Sequence, residues 1–301
     1  MKLKLWFLET RPNFLLLSVV LSFLGTSMAK HDGDFNLVRA LLGFVGLLLC
    51  HISVNVLNDY FDYRSGIDLK TRRTPFSGGS GLLPSGALKP AHVLRFGVAA
   101  FLLAVPIGVY FVIVTGWLLL PLLIVAALCI LLYTPLLTKI GWPEWSPGVG
   151  LGALPVLGAY FIQTGAYTLS AALASVPSGL LVHNLLLLNE FPDVEADKTA
   201  GRKTLPITIG KRKAAYVYSA FTVAVYVWIA ALVAAGIMPV YCLLAFLTLG
   251  RAAKAIRGAL HPDDPSRLLP AMGHNVLVIL LTQLLLGIGY LLGDTIPIHL
   301  F

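Results

Sequence analysis

Charged side chains are scarce in this chain. Only 12% of its 301 residues are Asp, Glu, Lys or Arg, whereas 57% are hydrophobic and the mean hydropathy is +0.84. Soluble domains average about 25% charged residues. A water-soluble fold of this length could not bury so much apolar surface, so the composition excludes a soluble protein and indicates an integral membrane protein.

Cysteine is also scarce, and it forms no recognisable motif. Cys50, Cys129 and Cys242 lie far apart and contribute to no CxxC or Cys/His pattern, which excludes a cysteine-based metal or redox motif. We interpret them as small packing residues in apolar runs. No soluble module, low-complexity tract or repeat interrupts the chain, so we expect a single transmembrane domain over residues 1–301.

Long apolar runs make up most of the chain. A transmembrane helix needs about 20 mostly apolar residues, and nine candidates occur, of which the fifth and eighth are short or rich in glycine. We therefore predict an all-α polytopic membrane protein with nine transmembrane helices, with eight as the alternative. The nine candidates are Phe14–Met28, Leu37–Leu57, Ala91–Val114, Trp117–Leu137, Gly148–Gln163, Leu169–Leu188, Ala214–Ala235, Pro239–Leu249 and Gly273–Leu292.

Basic residues are distributed unevenly around these spans. With nine spans and a cytoplasmic N-terminus, all of the 22 Lys and Arg residues except Lys30 and Arg39 fall in cytoplasmic segments. The positive-inside bias produces this asymmetry, and eight spans would scramble it. We expect a protein of a prokaryotic plasma membrane, with its N-terminus in the cytoplasm and its C-terminus outside.

Two of the cytoplasmic loops, Asn58–Pro90 and Asn189–Lys213, are long and polar, whereas the outer loops are short turns. Long polar loops on an otherwise minimal scaffold usually carry function. We therefore expect an active site on the cytoplasmic side.

An acidic cluster ends the second span. Asn55, Asn58 and Asp62 stand at i, i+3 and i+7, so their side chains share one face of a helix. Gly66 can end that helix in a left-handed cap, which would bring Asp68 over the same site. Carboxylates at a membrane boundary are costly unless a positive charge compensates them.

A second acidic cluster ends the sixth span. Asn189, Asp193 and Asp197 stand at i, i+4 and i+8, again one face of a continuous helix, whereas Glu195 points elsewhere and is expected to be solvated. Both clusters lie at the same depth on the same side. Because like charges repel, bringing the clusters together implies a bound cation.

The donor types in these clusters favour magnesium. All-oxygen ligands with open positions suit Mg²⁺, which is usually shared between carboxylates and a substrate phosphate. The alternative is a pair of wetted polar helix ends that carry surface salt bridges. The predicted Mg²⁺ ligands are Asn58, Asp62, Asp68, Asp193 and Asp197.

Basic residues near the clusters could hold the anionic part of a substrate. A diphosphate carries about three negative charges, so Lys or Arg beside the metal would stabilise its departure. We favour Lys139, the only basic residue in its loop, and Arg202. The full set of candidates is Arg11, Arg72, Lys139, Arg202 and Lys203.

Both acidic motifs, on these two spans, resemble those of the UbiA superfamily of intramembrane prenyltransferases. The resemblance covers nearly the whole chain. The family's first motif, NDxxD or NxxxDxxxxxD, is matched by Asn58, Asp59, Asp62 and Asp68. Its second motif, DxxxD, is matched by Asp193 and Asp197.

This resemblance implies nine helices around a central cavity and Mg²⁺-dependent transfer of an isoprenyl chain from its diphosphate to a small aromatic acceptor. Asp62 and Asp193 would be the central catalytic carboxylates. Arg11 resembles part of the family's opening segment, and Tyr133 with Lys139 resembles a pair that holds the diphosphate. The ring of Tyr133 would also stabilise a carbocation through its π face.

Residues 55–68 are most similar to the branch of this family that prenylates 1,4-dihydroxy-2-naphthoate for menaquinone. The alternative acceptors are a 4-hydroxybenzoate, a chlorin or a glyceryl phosphate, because the stretch Thr74–Gly86 departs from the family patterns. Its glycines favour a mobile lid over the metals, with a plain flexible loop as the alternative.

A secondary transporter is the alternative from a different functional class. It would place its carboxylates near the middle of the membrane and break its helices there, whereas this chain carries them at predicted helix ends. Two further polar residues, His51 and His183, lie inside predicted spans. Single buried histidines more often bridge helices than take part in chemistry, so both are predicted to be structural.

Overall fold

The structure, a computed structural model, describes residues 2–71 and 73–295, and every regular element in those two ranges is helical. The all-α prediction is therefore confirmed. The helices are α1 Lys2–Glu9, α2 Pro12–His31, α3 Leu37–Ser65, α4 Pro90–Thr115, α5 Leu119–Ile140, α6 Trp145–Thr164, α7 Leu169–Glu190, α8 Val194–Thr199, α9 Leu205–Thr208, α10 Lys211–Ala234, α11 Leu249–Ala259 and α12 Pro265–Thr295.

Eight helices in the described part of the chain are long and apolar enough to cross a membrane: α2 to α7, α10 and α12. The predicted eighth span is instead a 3₁₀ helix, Val240–Thr248, that runs into α11. The basic residues Arg251, Lys254 and Arg257 on α11 give this segment a polar end. The chain is an integral membrane protein, while the count of nine spans and the sidedness stay predictions.

Helix α3 continues eight residues beyond the predicted membrane span, which ends at Leu57, and stops at Ser65. Gly66 follows with φ 79°, and its N–H donates to the carbonyls of Asp62 and Tyr63. This is the left-handed cap predicted from the sequence. As the spacing predicts, the helix carries Asn58 and Asp62 of the first acidic motif, while Asp68 follows the cap.

The core forms where α2 packs between α6 and α12, while α3 packs along α4. Gly25 of α2 shows how close this packing is, because a Cβ there would lie 2.3 Å from the carbonyl oxygen of Val156 on α6. Helices α2 to α7 surround a cavity of about 280 Å³ whose walls are mostly apolar. The central cavity implied by the family resemblance is thus present.

Polar contacts join the helices at the end of the bundle opposite the acidic motifs. The hydroxyl of Tyr160 on α6 donates to Asp32 Oδ2 over 2.5 Å. The side chain of Gln163 pairs with both the N–H and the carbonyl of Asn36, and Arg39 donates to the carbonyl oxygen of Gln163 over 3.2 Å. These contacts fasten the α2–α3 connection to the end of α6.

Candidate active site

The first wall of the site is the last two turns of α3 and the residues that follow its cap. Asn58 donates from Nδ2 to Thr134 Oγ1 over 3.0 Å, which fixes its side chain against a π-helical turn of α5, Tyr133–Leu137. Asp62 lies one turn further along. Asp68 comes after Gly66 and is buried, so the helix end and the turn aim their carboxylates at one place.

The second wall comes from the end of α7, and one prediction about it is wrong. Asn189, Asp193 and Asp197 do not share one continuous helix, because α7 ends at Glu190 and α8 begins at Val194. Pro192 explains the break, since it has no N–H and its ring clashes with the carbonyl four residues earlier. Glu195 is exposed, with 82% of its side chain accessible, as expected.

Arg202 bridges the two acidic motifs. Its guanidinium pairs with Asp62 of the first motif and with Asp197 Oδ1 of the second, the latter over 3.0 Å. Burial opposes the charge on Arg202, but Asp62 and Asp197 outweigh it and raise the pKa of the guanidinium. A protein cation thus lies between carboxylates that would otherwise repel.

A polar cavity of about 100 Å³ lies between the two walls. It brings together most of the residues predicted from the sequence, including all five predicted metal ligands. Lys139 and Lys203 do not line it, and their side chains are exposed. Arg72 lies outside the described residues. The predicted site residues that line the cavity are Arg11, Asn58, Asp62, Asp68, Tyr133, Asp193, Asp197 and Arg202.

Carboxylates outnumber cations in this cavity, and the pKa values of two of these carboxylates are raised. Burial, reinforced by the charges of Asp62 and Asp59, raises the pKa of Asp68 to about 7. Burial and the charge of Asp197 raise the pKa of Asp193 to about 7. An added divalent cation would stabilise the charged forms of both groups.

The donor set fits a metal ion that is shared with a phosphate ligand. No group of three or more His, Cys, Asp or Glu side chains in the described ranges forms a ready-made metal cage. However, Asp193 Oδ1 is buried without a hydrogen-bond partner among the described residues, and every polar side chain in the lining apart from the arginines carries an oxygen donor. Mg²⁺ typically uses one or two carboxylates together with substrate phosphate, which is what this cavity offers.

The glycine-rich segment 77–86 lies directly on the first acidic motif. Ser77, Gly78 and Gly79 line the polar cavity. At Gly79 φ is +66°, and a Cβ would lie 3.1 Å from Asp59 Oδ1 and 3.3 Å from Asp68 Oδ2. Only glycine allows the backbone to approach these carboxylates so closely. This segment therefore covers the site, as the lid prediction requires, and its mobility stays a prediction.

Glu9 at the end of α1 anchors this segment and was missed in the sequence. Ser80 donates from its N–H to Asp59 Oδ2 over 2.7 Å and from its hydroxyl to Glu9 Oε2 over 2.8 Å. Glu9 is fully buried. Nothing in the local sequence indicates this role, because its partner lies 71 residues further along the chain.

The polar cavity adjoins the larger apolar one at a neck, which is defined by the residues that line both cavities. These residues are Arg11, Asn58, Tyr133, Leu186 and Asn189. The guanidinium of Arg11 lies 4.6 Å above the ring of Phe14 and 3.8 Å from Asp59 Oδ1. A molecule with an anionic head and a long apolar tail matches this pair of joined cavities.

Known proteins share both the sequence pattern and the fold. A 1,4-dihydroxy-2-naphthoate octaprenyltransferase from Bacillus subtilis is 30% identical over 96% of this chain and 92% of its own length. A solved digeranylgeranylglyceryl phosphate synthase has a TM-score of 0.67 at 19% identity and covers 96% of this chain and 99% of its own. A UbiA homolog from Archaeoglobus fulgidus, bound to GPP and Mg²⁺, has a TM-score of 0.59 at 12% identity, with 95% and 99% covered.

The profile of the UbiA prenyltransferase family matches residues 18–290, which is most of the chain. This range contains both acidic motifs and most residues that line the two cavities. The resemblance seen in the sequence is therefore confirmed, and the chain belongs to the UbiA prenyltransferase family.

Proposed function

We propose that this protein transfers an isoprenyl chain from a prenyl diphosphate to 1,4-dihydroxy-2-naphthoate in a Mg²⁺-dependent reaction of menaquinone-type quinone biosynthesis. One observation carries the proposal: a carboxylate-rich polar cavity adjoins a larger apolar cavity and shares lining residues with it. The similarity to the B. subtilis octaprenyltransferase supports the choice of acceptor. We place the reaction at the cytoplasmic face of a prokaryotic plasma membrane.

Five residues would hold the metal and thereby the diphosphate. Bound Mg²⁺ would neutralise the charge that develops on the leaving diphosphate. The carboxylates of Asp62 and Asp193 lie on opposite walls of the cavity and would be the central pair. The proposed ligands are Asn58, Asp62, Asp68, Asp193 and Asp197, all of which line the polar cavity.

Arginine side chains would stabilise the same leaving group. Arg202 already lies between the two motifs, so an arriving diphosphate can take the place of a carboxylate in its hydrogen bonds. Arg11, which directly precedes α2, also lines the neck. Lys139 and Lys203 lie close together, since Lys203 donates its backbone N–H to the carbonyl of Thr138, and both are proposed to reach the diphosphate from outside the cavity. Arg72 is proposed as a further diphosphate ligand from its position in the sequence.

Tyr133 would act on the reacting carbon. The allylic C–O bond breaks and its electron pair leaves with the diphosphate, so positive charge develops on the carbon at the neck. The ring of Tyr133 lines this neck, where its π face stabilises a cation, and the apolar walls exclude water that would capture it. A carbon of the electron-rich acceptor ring then attacks, and the acceptor's carboxylate leaves as CO₂, which returns its electron pair to the ring.

The proposal is tested with purified protein, Mg²⁺, labelled geranylgeranyl diphosphate and a panel of acceptors. We expect transfer to 1,4-dihydroxy-2-naphthoate, and no product when EDTA removes Mg²⁺. Transfer only to 4-hydroxybenzoate, a chlorin or a glyceryl phosphate would overturn the assignment of 1,4-dihydroxy-2-naphthoate as the acceptor. Solute uptake into proteoliposomes without any prenyl transfer would instead favour the transporter alternative.

Substitution of the motif carboxylates tests the site itself. Asp62→Asn and Asp193→Asn should each lower kcat by at least about 100-fold, since each removes charge from the metal-binding cavity. Glu195→Gln is the matched control, because Glu195 lies between the motif residues in sequence but is exposed and pairs only with Lys198 among the described residues. Full activity in either Asn variant would refute this site.

A further inference from the structure

An imidazole lies in the wall of the apolar cavity, away from the acidic motifs. His51 of α3 is buried and lines this cavity. Its Nδ1 lies 2.8 Å from the hydroxyl oxygen of Ser18 on α2. Its other ring nitrogen, Nε2, has no hydrogen-bond partner among the described residues. The ring is therefore fixed at one edge, and its second edge remains available to the cavity.

The second buried histidine shows what a purely structural imidazole looks like in the same bundle. The indole N–H of Trp142 donates to His183 Nε2 over 2.9 Å, and His183 Nδ1 lies 3.3 Å from Asn184 Oδ1. Both ring nitrogens of His183 are thus paired, and His183 does not line the apolar cavity. His183 thus pairs with the α5–α6 connection and with its own helix, whereas His51 joins α3 to α2 and is paired at one nitrogen only.

An unpaired polar edge inside an apolar cavity is unfavourable, by about 1–3 kcal/mol. An isoprenyl tail cannot relieve this, because a hydrocarbon offers neither a hydrogen-bond donor nor an acceptor. The edge of His51 therefore indicates a ligand group with an oxygen. Of the two substrates in the proposed reaction, only the aromatic acceptor brings such a group into the apolar cavity.

The position of His51 on α3 agrees with this assignment. His51, Asn55 and Asn58 stand at i, i+4 and i+7, so they share one face of the helix, and all three line the apolar cavity. His51 lies about 10 Å along the axis from Asn58, at 1.5 Å per residue. Asn55 is already engaged, since its amide donates to the carbonyl of Thr10 over 3.0 Å. An acceptor ring with its reactive carbon near the neck would extend its far oxygen toward His51.

We propose that His51, held by Ser18, binds the aromatic acceptor through a hydrogen bond between Nε2 and a ring hydroxyl. A hydroxyl suits this position because it can donate or accept and so pairs with Nε2 in either tautomer. The assignment deepens the proposed function and rests on it. His51 would thus determine which acceptors are used, while the acidic motifs hold the diphosphate.

Steady-state kinetics with each substrate varied in turn test this assignment. His51→Leu should raise the KM for 1,4-dihydroxy-2-naphthoate at least 10-fold and leave the KM for geranylgeranyl diphosphate within about twofold. His51→Gln keeps a hydrogen-bonding group and should recover part of the loss. Ser18→Ala, which only frees the ring, should give an intermediate KM. The matched control is His183→Leu, which should lower the melting temperature without a selective change in the acceptor KM.

A methylated acceptor separates contact from packing. The wild-type protein should discriminate at least 10-fold against a monomethyl ether of the acceptor, and His51→Leu should lose most of that discrimination. Unchanged discrimination in His51→Leu, or an equal rise in both KM values, would overturn the assignment. If His51→Leu fails to fold, the discrimination against the methyl ether is measured in Ser18→Ala instead, and its loss or retention decides the assignment. A wild-type protein that prenylates none of the acceptors would overturn the proposed function instead, so the two failures are distinguishable.

Discussion

Arg202 is the residue that most changes the electrostatics of the site. It is 14% exposed and pairs with a carboxylate from each acidic motif. The sequence indicated that a cation must separate the motifs, and it suggested Arg202 as a diphosphate ligand. It could not indicate that Arg202 itself bridges the motifs, since the contact with Asp62 joins residues 140 positions apart. Long-range pairing of this kind has no local signal.

Arg202→Lys should lower kcat/KM for the prenyl diphosphate by about 10- to 100-fold. Lysine keeps the charge but cannot make two directed hydrogen bonds to two partners at once, and such bonds are worth about 1.5–3 kcal/mol each. The measurement is steady-state kinetics at saturating acceptor and Mg²⁺. Lys198→Gln is the control, since Lys198 is a neighbouring basic residue that pairs with the exposed Glu195. Equal rates for Arg202→Lys and wild type would mean that charge alone suffices.

We expect Glu9 to make the stability of the protein depend on pH. Burial, followed by the charge of Asp59, raises the pKa of Glu9 from 4.5 to about 7. The folded state therefore keeps a proton that the unfolded state releases, so stability should fall as the pH rises from about 4.5 to about 7. Glu9→Gln removes this proton linkage and keeps an acceptor for Ser80.

Thermal unfolding in detergent checks this expectation. Glu9→Gln and wild type should melt at similar temperatures at pH 5, and the variant should be more stable at pH 8, by up to about 3 kcal/mol at 1.36 kcal/mol per pKa unit. A stability difference that is the same at both pH values would show that the charge on Glu9 carries no cost.

At the scale of elements, we expect the contact between the glycine-rich segment and the acidic motif at the end of α3 to affect activity. Gly79→Ala should lower kcat/KM at least fivefold, because the new Cβ would contact Asp59 and Asp68 in a backbone conformation with φ +66°. The control is Gly86→Ala in the same segment, where φ is +72° and nothing lies within 4 Å of an added Cβ. Both variants carry backbone strain of about 1–2 kcal/mol, so their melting temperatures should fall by similar amounts. A larger loss of activity in Gly79→Ala than in Gly86→Ala would then be caused by the contact with the two carboxylates. Equal activities would assign no role to it.

The two acidic elements show what the sequence could and could not predict. The end of α3 was predictable because periodicity places Asn58 and Asp62 on one face and Gly66 supplies a local stop signal. The end of α7 was predicted as one helix, but Pro192 divides it. Even so, Asp193 and Asp197 both reach the polar cavity, since a short turn and a new helix bring them back to the same wall.

At the scale of the whole molecule, the arrangement of the spans follows from charge. Nine spans with a cytoplasmic N-terminus place residue 294 outside, whereas eight would place it in the cytoplasm. In a variant without native cysteines, Asp34→Cys and Asp294→Cys should react with an impermeant maleimide in intact cells, and Lys198→Cys only in inverted vesicles. All three side chains are exposed. Labelling of residue 294 from the same side as residue 198 would contradict the ninth span.

The contacts of Asp32 with Tyr160 and of Asn36 with Gln163 have a consequence for the host cell. They tie together the helix ends on the side of the bundle opposite the acidic motifs, beyond a cavity whose walls are mostly apolar. We therefore expect this enzyme to conduct no ions across an energised bilayer, because a hydrated ion that entered at the motifs would have to lose its water among apolar side chains.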